Sequence, residues 1–431
     1  MAILKRVRFR SNRPGRVRST LWGSALLQIK CGEGTPEEAL KIVLVHNTYQ
    51  QPGGEDAVFE QERKMLENAG HQVIPYCRSN WDVESYKGLR KLSVAKGTIW
   101  ASDTRRDFAN LLEREKPDLA HIHNTFVMIS PSIYSACYEA KVPVVQTLHN
   151  YRLMCPAGTF FRDGKVCEDC MAGSLWQGIK HKCYHDSHSA TAIVAMMLAT
   201  HRLRGTWKRE ISYYIALSEF ARNKFIEAGL PKDKILVKPN FVSPDPGART
   251  SQGDYALFVG RLSPEKGVGT IVSAWKHLPR SIPLHIIGGG PDQELLKAQV
   301  ARDGLTNVQF KGQMRREETL AAINNARVML ISSEWYETFC MAIAESYACS
   351  TPVICSRMGV MQELVSDGRT GLHYTPADPV DLARKVEWAW AHPDEMCAMG
   401  EEARKEYESK YTAETNYPVL LEIYKRALQQ A

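Results

Sequence analysis

The feature that most constrains the fold is a repeated alternation of short apolar segments and amphipathic segments. The run Lys41–Val45 is continuously apolar after its first residue, which is typical of a parallel strand buried on both faces. An amphipathic segment follows and ends at Gly70, a common helix stop. The same succession recurs, with further strands predicted at 72–75, 117–123, 142–148, 213–217 and 235–238. This alternation predicts an α/β fold built on a doubly wound parallel sheet.

A second series of strands follows the segment Pro239–Pro244, which we interpret as an interdomain linker. Its strands are predicted at 255–259, 284–287, 308–310, 328–331, 352–355 and 371–374. Two α/β domains create a cleft, and open α/β sheets bind ligands beyond the carboxyl ends of their strands. The predicted organisation is a basic leader at 1–40, an N-terminal domain at 41–240 with an insert at 151–208, a C-terminal domain at 245–410 and a final helix at 411–431.

Charge and cysteine content restrict the partners and the compartment. The net charge is +7, and residues 1–40 contribute eight basic and three acidic residues to it. Because the rest of the chain is nearly neutral, we expect no nucleic-acid groove. We interpret the leader as a disordered tail rather than a signal peptide, since its apolar stretch Leu21–Ile29 is interrupted and no cleavage site follows. The eleven cysteines are therefore expected to be reduced in the cytoplasm.

Two loops of the C-terminal half carry a pattern for phosphate. Arg261 and Lys266 follow strand 255–259 and precede a helix, whose N-terminus supplies free N–H groups and partial positive charge. These features predict a diphosphate site; the alternative is a solvated loop with two surface cations. The run Gly288–Gly290 after the next strand either lets backbone approach a ligand closely or forms a plain turn.

The strongest constellation in the sequence is the pair Glu337 and Glu345. Glu337 is predicted to lie at a strand-to-helix junction and Glu345 on the following helix. Eight residues of helix would separate them by ~12 Å along the axis. That distance suits one carboxylate accepting hydrogen bonds from a sugar and the other from a ribose. The intervening segment Phe339–Ala344 is apolar and predicted to be buried, and a glutamate embedded there needs a partner. The alternative is a helix with two solvated glutamates.

In the N-terminal half, strand ends also carry candidate residues. Gly53 and Gly54 form a loop that could offer backbone N–H groups to a phosphate or an acceptor. His149 ends strand 142–148 at the predicted cleft, where it could hydrogen-bond a sugar or stabilise charge. His46 and His123 are weaker candidates. A satisfied core or surface histidine is the alternative for each of the three.

The insert carries four cysteines and one apolar stretch. Cys155, Cys167, Cys170 and Cys183 include a C-x2-C pair, which suits two thiolates on a tetrahedral zinc ion. We predict a structural zinc site, with disulfides or four free thiols as alternatives. The stretch Ala190–Ala199 is a candidate for membrane contact through Ile193, Val194, Met196, Met197 and Leu198, and otherwise a helix packed in the domain.

Taken together, these motifs resemble a retaining glycosyltransferase of family 4 with the two-domain GT-B fold. The resembling segments are Gly53–Asp56, Thr147–His149, Gly260–Arg261 with Glu265–Gly267, Gly288–Pro291, and Glu337-x7-Glu345 followed by Thr351–Val353. They span residues 41–425. The sequence departs from the family pattern at Thr338, Cys340 and Ser350, where glycine is usual.

The resemblance implies retaining transfer of a sugar from a nucleotide-sugar donor on the C-terminal half to a glycan or lipid-linked acceptor on the N-terminal half. It implies a role in cell-surface polysaccharide synthesis, in the cytoplasm or peripherally at the inner face of the membrane. The implied catalytic residues are Glu337, His149, Lys266 and Arg261, with the two cations in place of a catalytic metal. The implied donor-binding residues are Gly53, Gly54, Arg261, Lys266, Gly288, Gly289, Phe339, Cys340, Met341 and Glu345.

Other functions remain open at this point. An epimerase or a phosphorylase would use the same two-domain fold. A non-catalytic nucleotide-binding partner is disfavoured because Arg261, Lys266, Glu337 and Glu345 are all present. Nucleic-acid binding through the leader and the cysteine cluster is the least favoured reading.

Overall fold

A computed structural model describes residues 39–48, 53–80 and 89–430, and residues 39–431 form one compact unit. The predicted leader at 1–40 lies almost entirely outside the described residues. Within them, the main architecture is two six-stranded sheets in which every strand pair is parallel. The α/β fold with two doubly wound sheets is therefore confirmed.

The first sheet has the strand order β2-β1-β3-β4-β7-β8. Its strands are β1 Lys41–Thr48, β2 Gln72–Ser79, β3 Leu119–Ile122, β4 Val144–Leu148, β7 Tyr213–Ala216 and β8 Ile235–Val237. A small antiparallel hairpin, β5 Phe161–Arg162 and β6 Lys165–Val166, lies in the insert. The order reverses between β1 and β3, so the carboxyl ends of these two strands define a crevice.

The second sheet has the order β11-β10-β9-β12-β13-β14, the arrangement of dinucleotide-binding folds. Its strands are β9 Ala256–Val259, β10 Leu284–Ile287, β11 Val308–Gly312, β12 Val328–Ile331, β13 Val353–Ser356 and β14 Gly371–Tyr374. Here the order reverses between β9 and β12. The loops after these two strands contain Arg261, Lys266 and Glu337.

Helices connect the strands in both halves. In the first half they are α1 Gly54–Asn68, α2 Leu89–Ile99, α3 Ser102–Glu115, α4 Ser132–Glu139, α5 Asp169–Ala172, α6 Trp176–Lys180, α7 His188–Arg204, α8 Thr206–Arg209 and α9 Glu219–Glu227. In the second half they are α10 Val268–Ala274, α11 Gln293–Arg302, α12 Arg316–Asn324, α13 Met341–Ala348, α14 Met361–Leu364, α15 Pro379–Ala391, α16 Pro393–Lys410 and α17 Ala413–Leu428.

Helix α1 buries most of the residues on its apolar face, but its inward face also contains a charged residue. Val58, Met65 and Leu66 are buried, as their spacing predicts. Ala69, which follows the last residue of the helix at Asn68, is exposed. Glu62 occupies the inward face instead and is buried with the apolar residues.

The apolar stretch of the insert is packed rather than exposed. It belongs to α7, which contacts α2, and Val194, Met197 and Leu198 lie in the core of the N-terminal half. Of the five residues predicted to contact a membrane, Met196 alone is exposed. Burial in the core therefore accounts for the apolar character of this stretch. Among the described residues, no helix combines the length and apolar character required to cross a bilayer.

The final helix, α17, packs on the first sheet rather than the second. It contacts α1, β3 and β4. Three of its side chains make hydrogen bonds there: Tyr424 to His121 (2.8 Å), Asn416 to Lys238 (3.0 Å) and Tyr417 to His71 (2.8 Å). The C-terminal segment thus completes the packing of the N-terminal half.

Candidate active site

The clearest site lies at the crevice between β9 and β12 in the C-terminal half. Lys266 Nζ lies 2.7 Å from Glu337 Oε1, and the Ser333 hydroxyl donates to the same oxygen at 2.6 Å. Glu337 is 6% exposed, so its carboxylate is held among partners rather than solvated. Two residues singled out separately in the sequence therefore form one ion pair.

The cations of this crevice differ in their surroundings. Burial opposes charge on Lys266, but the Glu337 carboxylate outweighs it and raises the pKa of the ammonium group. Arg261, in the same loop, is exposed and has no ion pair or side-chain hydrogen bond to any described residue. Its guanidinium group is available to bind an anion through bidentate hydrogen bonds.

Glu337 lies between β12 and α13 and Glu345 lies on α13, as predicted, but the spacing of eight helical residues does not apply to the pair. Helix α13 begins at Met341, and residues 337–340 lie in the loop that precedes it. The loop is held by bonds to the N-terminal half: the Thr338 hydroxyl donates to the His149 carbonyl oxygen (2.7 Å), and the Thr338 carbonyl accepts from Ser218 (2.9 Å). These contacts replace a helical turn that the local sequence would allow.

Glu345 lies on α13, and its charge is poorly compensated. The nearest cation is Arg316, whose Nε lies 3.9 Å from Glu345 Oε1. Burial raises the pKa of this carboxyl group to about 7, although Arg316 opposes the shift. A half-buried carboxyl group with one distant partner is suited to accept hydrogen bonds from ligand hydroxyls.

The Gly53–Gly54 loop meets the start of α13. A Cβ atom added at Gly54 would lie 3.8 Å from Met341 Cγ. Asp56 caps its own helix by accepting from the Gly53 N–H at 2.8 Å, which fixes the N-terminus of α1. The N-termini of α1 and α13 are therefore neighbours, and each contributes partial positive charge.

Phe339 and Cys340 contribute to the core through their side chains. They are 7% and 5% exposed, and burial raises the pKa of the Cys340 thiol to about 12. Phe339 packs edge-on against Tyr411, with ring centroids 5.8 Å apart. If this segment binds a ligand, it must do so through its backbone N–H groups.

The glycine run after β10 serves a contact within the protein. A Cβ atom at Gly288 would lie 1.9 Å from the Gly260 carbonyl oxygen, and one at Gly290 would lie 2.3 Å from that of Leu262. Gly289 accepts a hydrogen bond from the Leu262 N–H at 3.0 Å. The run therefore packs against the Gly260–Leu262 loop and holds the segment that carries Arg261.

On the N-terminal side, His149 is placed beside the same loop by the bond from Thr338. Its Nε2 lies 2.9 Å from Nδ1 of His123. Burial lowers the pKa of His149 well below its usual range, and nearby His123 adds to the shift, so the imidazole is neutral at pH 7. The structure thus brings together His149, His123 and the Glu337 loop.

Behind His123 lies a buried ionic cluster that sequence analysis missed. Glu62 Oε1 lies 2.5 Å from Lys238 Nζ, and Glu62 Oε2 lies 3.0 Å from His123 Nε2. Burial alone would raise the pKa of Glu62, yet Lys238 and His123 bring it well below its usual range. The spacing of Glu62 from Val58 and Leu66 on one helix face is the signal that could have revealed its burial.

Glu62, His121 and His123 are also the one group of potential metal ligands within 4.8 Å of one another in the described part of the chain. Both ring nitrogens of His121 already have hydrogen-bond partners, Tyr424 and Thr147, each at 2.8 Å. Lys238 supplies the positive charge beside Glu62. These contacts make the cluster an ion-pair network, with no vacant ligand atom on His121 for a metal.

The four cysteines of the insert are free thiols, and no disulfide joins any cysteines in the described residues. Burial raises the pKa of Cys170 to about 11, and the neighbouring Cys155 adds to the shift. No three of the four sulfur atoms lie within 4.8 Å of one another. A tetrahedral site would require the insert to close around the ion, so zinc stays a prediction that metal analysis of the purified chain would test.

Comparison with known proteins relates these features to a family. Residues 52–246 match the family model "Glycosyltransferase Family 4", and residues 244–406 match "Glycosyl transferases group 1". The uncharacterized glycosyltransferase MJ1178 of Methanocaldococcus jannaschii is 28% identical over 87% of this chain and 95% of that protein. D-rhamnosyltransferase WbpZ of Pseudomonas aeruginosa is 31% identical over 37% of this chain, which spans 42% of that protein's length.

Solved structures show the same fold at low identity. Anabaena Alr3699/HepE, in complex with UDP and glucose, superposes with a TM-score of 0.64 at 18% identity, over 89% of this chain and 98% of that one. Sucrose-phosphate synthase of Thermosynechococcus elongatus superposes with a TM-score of 0.68 at 17% identity, over 91% and 100% of the two chains. With both halves matched by glycosyltransferase family models and the fold shared, the chain is a family 4-like glycosyltransferase with the GT-B fold.

Proposed function

We propose that this protein is a retaining glycosyltransferase that moves a hexose from a nucleotide-sugar donor to a glycan or lipid-linked acceptor. The observation that carries the proposal is the Lys266–Glu337 ion pair at the crevice between β9 and β12, with the unpaired guanidinium group of Arg261 in the same loop. A site with two cations and a held carboxylate matches a ligand that joins a sugar to a diphosphate.

The nature of the donor is supported by the neighbouring structures and by the local charge. Alr3699/HepE has been solved with UDP and with UDP-glucose. In this chain, the neighbouring N-termini of α1 and α13 and the side chains of Arg261 and Lys266 provide donors for a diphosphate. Glu345, further along α13, would accept hydrogen bonds from the ribose hydroxyls.

In the proposed reaction, the bond between the anomeric carbon and the diphosphate oxygen breaks, and a bond to the acceptor hydroxyl oxygen forms on the same face. The departing diphosphate oxygen takes the acceptor proton. Arg261 and Lys266 stabilise the negative charge that develops on the leaving group, without a catalytic metal. Glu337 holds sugar hydroxyls, and His149 lies beside the transferring sugar.

The acceptor is assigned to the N-terminal half. A cavity there is lined by His123, Asn124, His149, Asn150 and Arg152 together with apolar side chains. This mixture of hydrogen-bonding and apolar groups suits a glycan or a lipid-linked saccharide, as expected for synthesis of a cell-surface polysaccharide. Such an acceptor would place the protein in the cytoplasm, peripherally at the inner face of the membrane.

The test begins with a panel of nucleotide sugars and the purified full chain. Binding raises the midpoint of thermal unfolding by mass action, so the donor should stand out from the others. That donor is then incubated with and without saccharide acceptors, and the anomeric configuration of the product is read by NMR. Retained configuration supports the proposal. An inverted product contradicts the retaining mechanism, and an epimerised donor without any acceptor would indicate an epimerase.

A further inference from the structure

Four side chains connect the interior of the N-terminal half to the candidate active site. Lys238, Glu62, His123 and His149 follow one another at 2.5, 3.0 and 2.9 Å, from the core to the end of β4. The first three side chains are buried, and His149 is partly exposed. They come from four separate elements: the segment after β8, helix α1, and the ends of β3 and β4.

The charge on Glu62 determines where the protons lie along this series. Lys238 can only donate, so it occupies Oε1 of the carboxylate. Oε2 then faces His123 Nε2 at 3.0 Å, although the N–H direction is not well aligned with the oxygen. An unprotonated nitrogen at that distance would place its lone pair against an anion. His123 therefore carries its proton on Nε2 and leaves Nδ1 as an acceptor.

The same reasoning extends to His149. Its Nε2 lies 2.9 Å from the unprotonated Nδ1 of His123, so His149 Nε2 must be the donor. In the neutral ring, Nδ1 of His149 is then unprotonated. Among the described residues, no hydrogen-bond partner is found for this Nδ1.

We propose that Glu62 is a positioning residue that acts through His123 to hold His149 in the Nε2–H tautomer, so that its Nδ1 accepts a hydrogen bond from a substrate hydroxyl. This proposal rests on the proposed function, because it gives His149 a defined role toward a sugar or acceptor hydroxyl. It assigns His149 as an acceptor of hydrogen bonds rather than as a cation that stabilises phosphate. Carboxylate control of a histidine tautomer is a known device of active sites.

The first experiment uses the wild-type chain and needs no activity. Two-bond ¹H–¹⁵N spectra of protein labelled at histidine distinguish protonated from unprotonated ring nitrogens, and comparison with H149Q identifies the signals of His149. We expect His149 to have a protonated Nε2 and an unprotonated Nδ1 at pH 7. The opposite tautomer, or a doubly protonated ring, would overturn the proposal.

The second experiment reverses the positions of the protons on His123 and His149. In E62Q, Lys238 should donate a hydrogen bond to the amide oxygen of the glutamine, so that the amide NH₂ faces His123 Nε2. That nitrogen must accept, so the protons of both histidines move and His149 becomes a donor at Nδ1. We expect the ¹⁵N pattern of His149 to invert and kcat to fall by about 10- to 100-fold, the range for a hydrogen bond lost at a buried partner.

A double variant keeps the test independent of folding. In E62Q/K238M no lysine competes for the amide oxygen, so it can turn toward His123 and restore the original tautomer. We expect the wild-type ¹⁵N pattern and most of kcat to return in the double variant. Unchanged His149 signals in folded E62Q would refute the proposal that Glu62 sets the tautomer of His149 through His123. Absence of transfer with every donor in wild type would count against the proposed function, while the tautomer measurement would still stand.

Discussion

The two sheets of this protein carry charge at their carboxyl edges in opposite ways. At the edge of the second sheet, Arg261 is exposed and has no partner among the described residues, and Lys266 shares one carboxylate with Ser333. At the edge of the first sheet, Glu62 and Lys238 are fully buried and neutralise each other. Two parallel α/β sheets therefore produce an open, charged crevice in one half and an enclosed, neutralised cluster in the other.

The difference indicates what each edge can do for a ligand. Exposed cations keep their capacity to bind an anion, which suits a diphosphate. Buried charges must be matched within the protein because desolvation is costly, so they can orient neighbouring groups but cannot bind a charged ligand themselves. On the proposed function, the second sheet would bind the charged part of the donor, and the first sheet would orient neutral hydrogen-bonding groups such as His149.

The largest effect is expected from breaking the buried pair. Lys238→Met leaves the Glu62 carboxylate uncompensated and should lower the free energy of unfolding by about 3–5 kcal/mol. Urea unfolding monitored by tryptophan fluorescence measures the change. The matched control is Lys405→Met, which removes an exposed pair with Glu402 and should cost no more than about 1 kcal/mol. Equal costs for the two variants would contradict the comparison.

Next in size is the effect of breaking the pair at the open edge. Lys266→Ala and Glu337→Ala should each lower kcat by about 10²- to 10³-fold, because each removes a group aimed at the reacting sugar or leaving group. Circular dichroism should show that both variants remain folded. Lys276→Ala, at an exposed lysine paired with the half-buried Asp303, serves as the control and should keep full activity. Near-normal turnover of either site variant at saturating donor would refute the assignment.

A smaller effect is expected at Arg261, where no contact within the protein is lost. Arg261→Met should weaken donor binding by about 1.5–3 kcal/mol, the value of hydrogen bonds to a charged group. Calorimetric titration with the donor identified in the screen measures it. Unfolding should be unchanged, because the side chain is exposed. Arg280→Met, at another exposed arginine of this half, should leave donor affinity unaltered.

The smallest effect concerns the pH dependence of donor binding. Glu345 has a pKa of about 7, so its carboxylate is mostly protonated at pH 6 and mostly ionised at pH 8. If the ionised form accepts from the ribose, donor affinity should rise about tenfold between these values. Glu345→Gln should bind more weakly at pH 8 and lose this pH dependence. If the donor affinity of the wild type did not change between pH 6 and pH 8, ionisation of Glu345 would play no part in donor binding.

Much of the fold could be predicted because it depends on local patterns. All twelve strands of the two large sheets were predicted to within a few residues. Most of them are apolar runs buried on both faces, which leaves little choice of composition; β2 and β11, which are partly exposed, are exceptions. Gly260–Lys266 and Ser332–Glu337 could be placed at strand ends for the same reason. Helix α2 and the end of α1 could not, because their bounds depend on contacts with distant segments.

Which of these residues contact one another depends on the tertiary structure. The sequence by itself determined that Lys266 and Glu337 each follow a strand, but the order β9-β12 in the sheet brings them to 2.7 Å. It determined a junction between strand and helix at Glu337, whereas bonds between Thr338 and the other half hold residues 337–340 in the loop before the helix.

The ionic cluster behind His149 is the clearest case of a feature that the tertiary structure alone decides. Glu62, His123 and Lys238 are each separated from the next by more than sixty residues and belong to three elements, so no local pattern links them. A glutamate on the inward face of a helix is unfavourable by itself, and it becomes acceptable once the fold supplies Lys238 and His123 as partners. Local sequence determines which segments are buried. The free-energy cost of burying a charge is offset only by partners that the tertiary structure brings from distant segments.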